Sequence, residues 1–172
     1  QGHGCMLSIT CADRGGLLFA VAEVLMRHAV SVYAAKIDTL GERVEDDPLV
    51  VVDGLQLLGC RISNSVKCVP PANKPLPVEI ATCNRYIKAE LASVADGTVL
   101  LALGAIAHGA VLRALGLKLS AFAFAHGAEH ALPRGLRLID SYHCSRYNTN
   151  TRRLTEEMFR EVVARASALA RE

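Results

Sequence analysis

The run TVLLALG (residues 98–104) restricts the fold of this chain more than any other stretch. It is almost continuously apolar, whereas a strand with one wet face alternates. Such a run fits a strand covered on both faces. Helical patterns flank it. Ile80, Cys83, Ile87 and Leu91 recur at spacings of three and four on one side, and AIAHGAVLRAL (105–115) follows on the other. A buried strand between two helices predicts a parallel sheet with helices packed on its faces. The neighbouring segments extend the pattern. LLGCRISNSVKC (57–68) and GLRLIDSY (135–142) read as strands, and AFAFAHGAEHALP (121–133) reads as strand and turn. The proline-rich VPPANKPLP (69–77) cannot be helical. Pro77 nevertheless suits the first turn of the helix after it. Leu154, Met158, Phe159, Val162 and Leu169 make the last helix amphipathic. Thr155 is its expected N-cap, and Glu156 and Glu157 favour its positive end.

The first 53 residues have a different rhythm. CMLSITCA (5–12) alternates as a strand, DRGG (13–16) is a turn, and Leu17, Leu18, Val21, Val24 and Leu25 mark an amphipathic helix over 16–29. Strands follow at 31–40 and 49–53, giving a β-α-β-β order. The charge divides at the same place. Residues 1–53 hold four basic and eight acidic side chains, a net of −4; residues 54–172 hold fifteen and nine, a net of +6. This asymmetry predicts two segments with different partners, the second partner anionic.

With 51% hydrophobic and 21% charged residues, the chain has the composition of a packed domain. No apolar run is long enough to span a bilayer, so no membrane partner is expected. No basic-then-apolar leader opens the sequence, and six cysteines without one argue for a reducing, cytoplasmic setting. Cys5, Cys11, Cys60 and Cys144, taken singly, are each most simply a small apolar filler.

The stretch LRLIDSYHCSRYNTNTRRLTEEMF (136–159) carries the most chemistry. An apolar strand ends at His143, and a polar segment follows before the last helix. A histidine after a strand is most often a satisfied loop residue, yet a neutral imidazole can also donate a hydrogen bond. Asn64 is an ordinary bulge residue or a carboxamide able to read a polar ring edge. Ser145, Arg146, Tyr147, Asn148, Arg152 and Arg153 form either a solvated loop or a set of phosphate and stacking contacts, with Lys67 a further cation. His108, His126 and His130 are expected to be structural.

Residues 61–83 (RISNSVKCVPPANKPLPVEIATC), 100–116 (LLALGAIAHGAVLRALG), 124–130 (FAHGAEH) and 140–159 (DSYHCSRYNTNTRRLTEEMF) resemble the C-terminal two-thirds of a family 5 uracil-DNA glycosylase. The resemblance covers nearly all of residues 54–172. It implies an α/β fold with a parallel-sheet core of the uracil-DNA glycosylase type. It implies that His143 faces a flipped base, that Asn64 reads uracil, that 144–148 enter the minor groove, and that His126 lines the pocket floor. The partner implied is DNA containing uracil. Proline is usual in this motif where Cys144 stands. Many relatives hold a [4Fe–4S] cluster, for which Cys68 and Cys83 match two of about four thiolate ligands. Cys5, Cys11 and Cys60 do not match the upstream pair, so no cofactor is expected.

Residues 12–18 (ADRGGLL) and 35–50 (AKIDTLGERVEDDPLV) resemble the last ACT domain of the bacterial PII uridylyltransferase/uridylyl-removing enzymes. The first motif usually has proline at the position of Gly15. A partial ACT-like β-α-β-β unit over 1–53 is implied, with Asp13 and Gly16 at the turn that commonly binds an amino acid. The expected organisation is therefore a fusion of this unit to a glycosylase segment, 54–172, that lacks its N-terminal catalytic part. The glycine-rich loop that positions the attacking water in the family has no counterpart here. Impaired uracil excision is expected. The alternatives are an ACT-type regulatory module that binds a small amino acid and a non-functional chimeric fragment.

Overall fold

The structure is a computed structural model that describes residues 5–9, 34–35, 60–67 and 75–172. Its centre is a six-stranded sheet in the order β2-β3-β1-β4-β6-β5. The strands are β1 (Cys5–Ile9), β2 (Ala34–Ala35), β3 (Cys60–Ser63), β4 (Val99–Leu103), β5 (Glu129–Ala131) and β6 (Arg137–Ser141). All neighbours are parallel except the edge pair β5–β6, which is antiparallel. The helices are α1 (Pro77–Ser93), α2 (Ala105–Ala114), the short α3 (Arg146–Asn150) and α4 (Glu156–Leu169). The chain is thus α/β with a mainly parallel sheet. Residues 16–29, 49–53 and the proline-rich loop up to residue 74 lie outside the described residues.

β4 is buried at every position, as its unbroken apolar run requires. Its side chains divide by the strand's two-residue period. Val99, Leu101 and Leu103 join Cys60, Ile62, Ile139 and the apolar face of α4 in one core. Leu100 and Ala102 join Leu138 and residues of α1 and α2 in the other. α1 buries Cys83, Ile87 and Leu91, with Ile80 half-buried. It starts with Pro77 at its first turn, and the Glu79 carboxylate accepts the Leu76 N–H at 2.6 Å. α4 starts where Thr155 Oγ1 accepts the Met158 N–H at 3.2 Å.

β1 belongs to the N-terminal 53 residues, yet it pairs with β3 on one side and β4 on the other. Leu7 stands opposite Leu101, and Leu101 opposite Ile139. Two expected elements differ in extent. Of the strand expected over 57–68, residues 60–67 are described; Cys60–Ser63 is strand, and the chain bends after it. Residues 146–150 are a helical turn rather than loop, since Ser145 caps it through Asn148 N–H.

Candidate functional site

Parallel strands bring their carboxyl ends to one edge of the sheet, where α/β folds build sites. Asn64 follows β3 directly, Gly104 follows β4, and His143 stands two residues beyond β6. Asn64 and His143 are both partly buried. Two strands, β1 and β4, lie between them, a lateral separation of about 14 Å at ordinary strand spacing.

The His143 end is closely defined. Gly104 has φ 97° and ψ 161°, a region that only glycine occupies readily. Its missing side chain leaves room for the imidazole: a Cβ at 104 would lie 3.2 Å from His143 Cβ and 3.6 Å from Cδ2. The Gly104 N–H donates to Ser141 O at 2.8 Å. Asn148 Nδ2 donates to His143 O at 2.8 Å, so the helical turn α3 returns to fix the peptide carrying the histidine. The Tyr142 N–H donates to His126 Nδ1 at 3.1 Å. Burial holds the His126 imidazole below the ordinary histidine value, opposed by a hydrogen bond to the Met158 backbone and by the Glu161 charge.

The Asn64 end is fixed by charge. Glu90 on α1 receives Lys67 Nζ at 2.8 Å and the Ser63 hydroxyl, and Arg61 approaches at 3.6 Å. Lys67 Nζ also donates to Ser63 Oγ at 2.7 Å, and the Lys67 N–H donates to Cys83 Sγ at 3.3 Å. The turn that presents Asn64 is therefore tied to α1 on both sides. Sequence reading did not single out Glu90; its signal was a carboxylate at the edge of an otherwise apolar helical stripe.

Of the expected DNA contacts, Lys67 is already paired with Glu90. Tyr147 is 72% exposed, and Arg152 and Arg153 are exposed. Arg153 lies over the Tyr142 ring at 4.7 Å. Ser145 and Asn148 serve the cap and the His143 carbonyl, and Arg146 opens α3. Asp13, Gly16 and Cys68 lie outside the described residues.

A second polar cluster sits behind β6. Asp140 is fully buried, and its carboxylate meets His108 Nδ1 at 2.9 Å and His130 Nε2 at 3.1 Å. His108 Nε2 faces Phe122 O at 3.0 Å. Both His108 nitrogens thus have a partner inside the protein, the Asp140 carboxyl on one side and the Phe122 carbonyl on the other. The three ligand-type atoms lie within 4.8 Å of one another, but each already has a partner inside the protein. The cluster links α2, β5 and β6 to the chain at Phe122.

The three described thiols lie in different parts of the fold. Cys83 is buried on α1, whereas Cys60 and Cys144 pack with the core under α4. Among the described residues, no group of three or more potential metal ligands includes a cysteine. An open groove of about 430 Å³ beside β5, lined by Glu129, His130 and Arg137 among others, lies at the opposite end of β6 from His143. No helix among the described residues is long and apolar enough to cross a membrane.

Comparison with known proteins gives two groups of relatives. The type-5 uracil-DNA glycosylase of Thermus thermophilus is 48% identical over 118 residues, 69% of this chain and 54% of that protein. That of Pyrobaculum aerophilum is 41% identical over 116 residues, 67% of this chain and 50% of that protein. The chain spans about half the length of these curated relatives. The N-terminal part instead matches the bifunctional uridylyltransferase/uridylyl-removing enzyme of Thiobacillus denitrificans, 80% identical over 49 residues, 28% of this chain and 6% of that protein. Such a division is consistent with a fusion. The family model for the uracil DNA glycosylase superfamily matches residues 8–167, running from β1 into α4, and to that superfamily the chain belongs.

Proposed function

We propose that this chain recognises uracil in DNA in the manner of a type-5 uracil-DNA glycosylase and that its excision step is impaired. The observation that carries the reading is the seat of His143, built against Gly104 at the carboxyl edge of the parallel strands. Departing uracil gathers negative charge on O2, and a fixed imidazole N–H there stabilises it. Asn64 stands at the same edge. Asn64 follows β3 directly and His143 stands two residues beyond β6, each partly buried. A carboxamide so placed offers a donor to uracil O4 and an acceptor to N3–H. The base must first leave the stack. Tyr147, Arg146, Arg152 and Arg153 are the contacts to the strand that remains.

Cleavage also requires water aligned with C1′, and a displacement of about 1 Å can cost on the order of a hundredfold. The family's water-positioning loop has no counterpart in this sequence. The 1–53 segment takes its place as a partial ACT-like unit and 54–172 is the glycosylase part; the position of β1 between β3 and β4 supports one shared sheet. The high identity of the N-terminal part to uridylyltransferases favours a second reading, in which Asp13 and Gly16 bind an amino acid. Stabilisation of the chain by glutamine would support it.

The test pairs binding with chemistry. Oligonucleotides that differ only in uracil or thymine are compared for affinity, and abasic-site formation is followed on gels beside His143→Ala. Preference for uracil with little excision is expected. Equal affinity for the two would sink the recognition, and robust excision abolished by His143→Ala would sink the impairment.

A further inference from the structure

We propose that His126 is a positioning residue for His143, holding the Tyr142 peptide through Nδ1 in the neutral Nε2–H tautomer. The proposal rests on the reading of His143 given above, but its structural half can be tested apart from it. The parallel pairing of β6 with β4 ends at Ser141, opposite Leu103. On the other side, the Asp140 N–H donates to Ala128 O at 2.9 Å and the Gly127 N–H donates to Asp140 O at 2.8 Å. Beyond that point the chain turns at residues 126–127, where the Ala128 N–H donates to Ala125 O at 3.0 Å and Gly127 has φ 77°. The His126 side chain supplies the acceptor there, with Nδ1 3.1 Å from Tyr142 N. Without it, a partly buried N–H just before His143 would lose its partner.

Three further contacts make this a designed seat rather than a chance approach. The His126 ring stacks on Tyr142 at 5.0 Å and 25°. It also bonds the Met158 backbone on α4. A neutral imidazole has one donor and one acceptor, so a ring that accepts from Tyr142 at Nδ1 carries its one N–H at Nε2. Asn148 holds the carbonyl side of the His143 peptide while His126 holds the amide that precedes it.

The arrangement has a pH sense. Protonation puts a hydrogen on Nδ1, facing the Tyr142 N–H, and the bond is lost. Burial lowers the His126 pKa below 6.5, so the ring is neutral at pH 7. Between that lowered value and 6.5 the unfolded chain binds the extra proton, so stability falls as pH drops through this window. The charged groups facing the pair are Glu161 on α4, which opposes the lowering, and Arg153 over the Tyr142 ring.

The experiment is amide exchange by NMR on the full chain, with His126→Leu and His126→Asn. The Asn carboxamide oxygen can stand near the Nδ1 position and accept the same N–H. In His126→Leu the Tyr142 amide should exchange about tenfold faster, the loss of one modest hydrogen bond. Asp140 should be unchanged, and His126→Asn should restore most of the protection. Uracil preference in binding should follow the same order. In the unsubstituted chain, acidification should loosen the Tyr142 amide in step with His126 protonation, and Glu161→Gln should move that midpoint to lower pH. Unchanged Tyr142 exchange in His126→Leu overturns the proposal. If that variant does not fold, separate titrations of the Tyr142 amide and the His126 ring overturn it instead. Absence of any uracil preference, with Tyr142 still responding, would leave the positioning standing and remove the glycosylase reading.

Discussion

At the end of β6 the chain is held by hydrogen bonds between uncharged groups and by stacked rings; at the end of β3 it is held by a lysine, an arginine and a serine converging on one glutamate. The first arrangement fixes a peptide unit, the second only draws a turn towards a helix. Directional bonds to the backbone define position to a few tenths of an ångström. Ion pairs near the surface are weaker, screened by salt and tolerant of geometry. The contrast separates two kinds of hold: directional bonds that fix the peptide bearing His143, and an ion-paired cluster that draws the turn bearing Asn64 towards α1.

The largest effect should come from the buried charge behind β6. Asp140→Asn replaces the buried carboxyl that His108 and His130 both contact. Breaking a buried pair by removing one partner costs about 3–5 kcal/mol. Urea unfolding should show a loss in that range. A loss under about 1 kcal/mol would mean that an amide replaces the carboxyl between the two rings at little cost.

Gly104→Ala should come next. The φ of 97° strains any side chain, and the new Cβ would meet His143 at 3.2 Å. A cost of about 1–3 kcal/mol is expected from the backbone alone. The sharper reading is spatial: His143 ring resonances should shift while those of Asn64 remain in place. Shifts at both residues would show that the two strand ends are mechanically one unit.

Much of this architecture is legible in the sequence. The unbroken TVLLALG run announced a strand buried on both faces, and the spacing of Cys83, Ile87 and Leu91 gave the buried face of α1. Thr155 was legible as a cap because its chemistry is local. What depended on distant partners was not. β3 stops at Ser63 because Ser63 and Lys67 turn to Glu90, 27 and 23 residues away. α3 has no apolar periodicity and forms from capping bonds, so it read as loop. His108 and His130 were read as structural, but their partner Asp140 was missed, although an aspartate within an apolar strand was itself the signal. His126 was expected on a pocket floor from the resemblance, and its bond to Tyr142 depends on the β5–β6 pairing, which sequence periodicity does not reveal.

A smaller effect is expected at the β3 end. Lys67→Met removes the main cation on Glu90 but leaves Ser63 and Arg61 in place. With side chains 29% and 17% exposed, the pair should contribute about 1 kcal/mol or less. The loss should shrink in 1 M salt, where the screening length falls to about 3 Å. A salt-independent loss would mean that packing of the lysine stem, not charge, holds the turn.

The smallest effect separates the cations by what they are free to do. A cation that neutralises a DNA phosphate releases a counterion, and each such contact contributes about one unit to the slope of log affinity against log salt. Arg152 is exposed on the turn between α3 and α4, whereas Lys67 is already paired with Glu90. Recruiting Lys67 to a phosphate would first break that pair, so the released counterion would be offset by an exposed carboxylate. Arg153 falls between them, because its guanidinium rests over Tyr142 yet keeps solvent access. Binding of a uracil-containing single strand should therefore lose about 0.7 of a unit of slope in Arg152→Ala, less in Arg153→Ala, and none in Lys67→Met. A full loss of slope in Lys67→Met would reverse the assignment: the β3 turn would then be the phosphate contact, and the Glu90 pair a resting state that DNA opens.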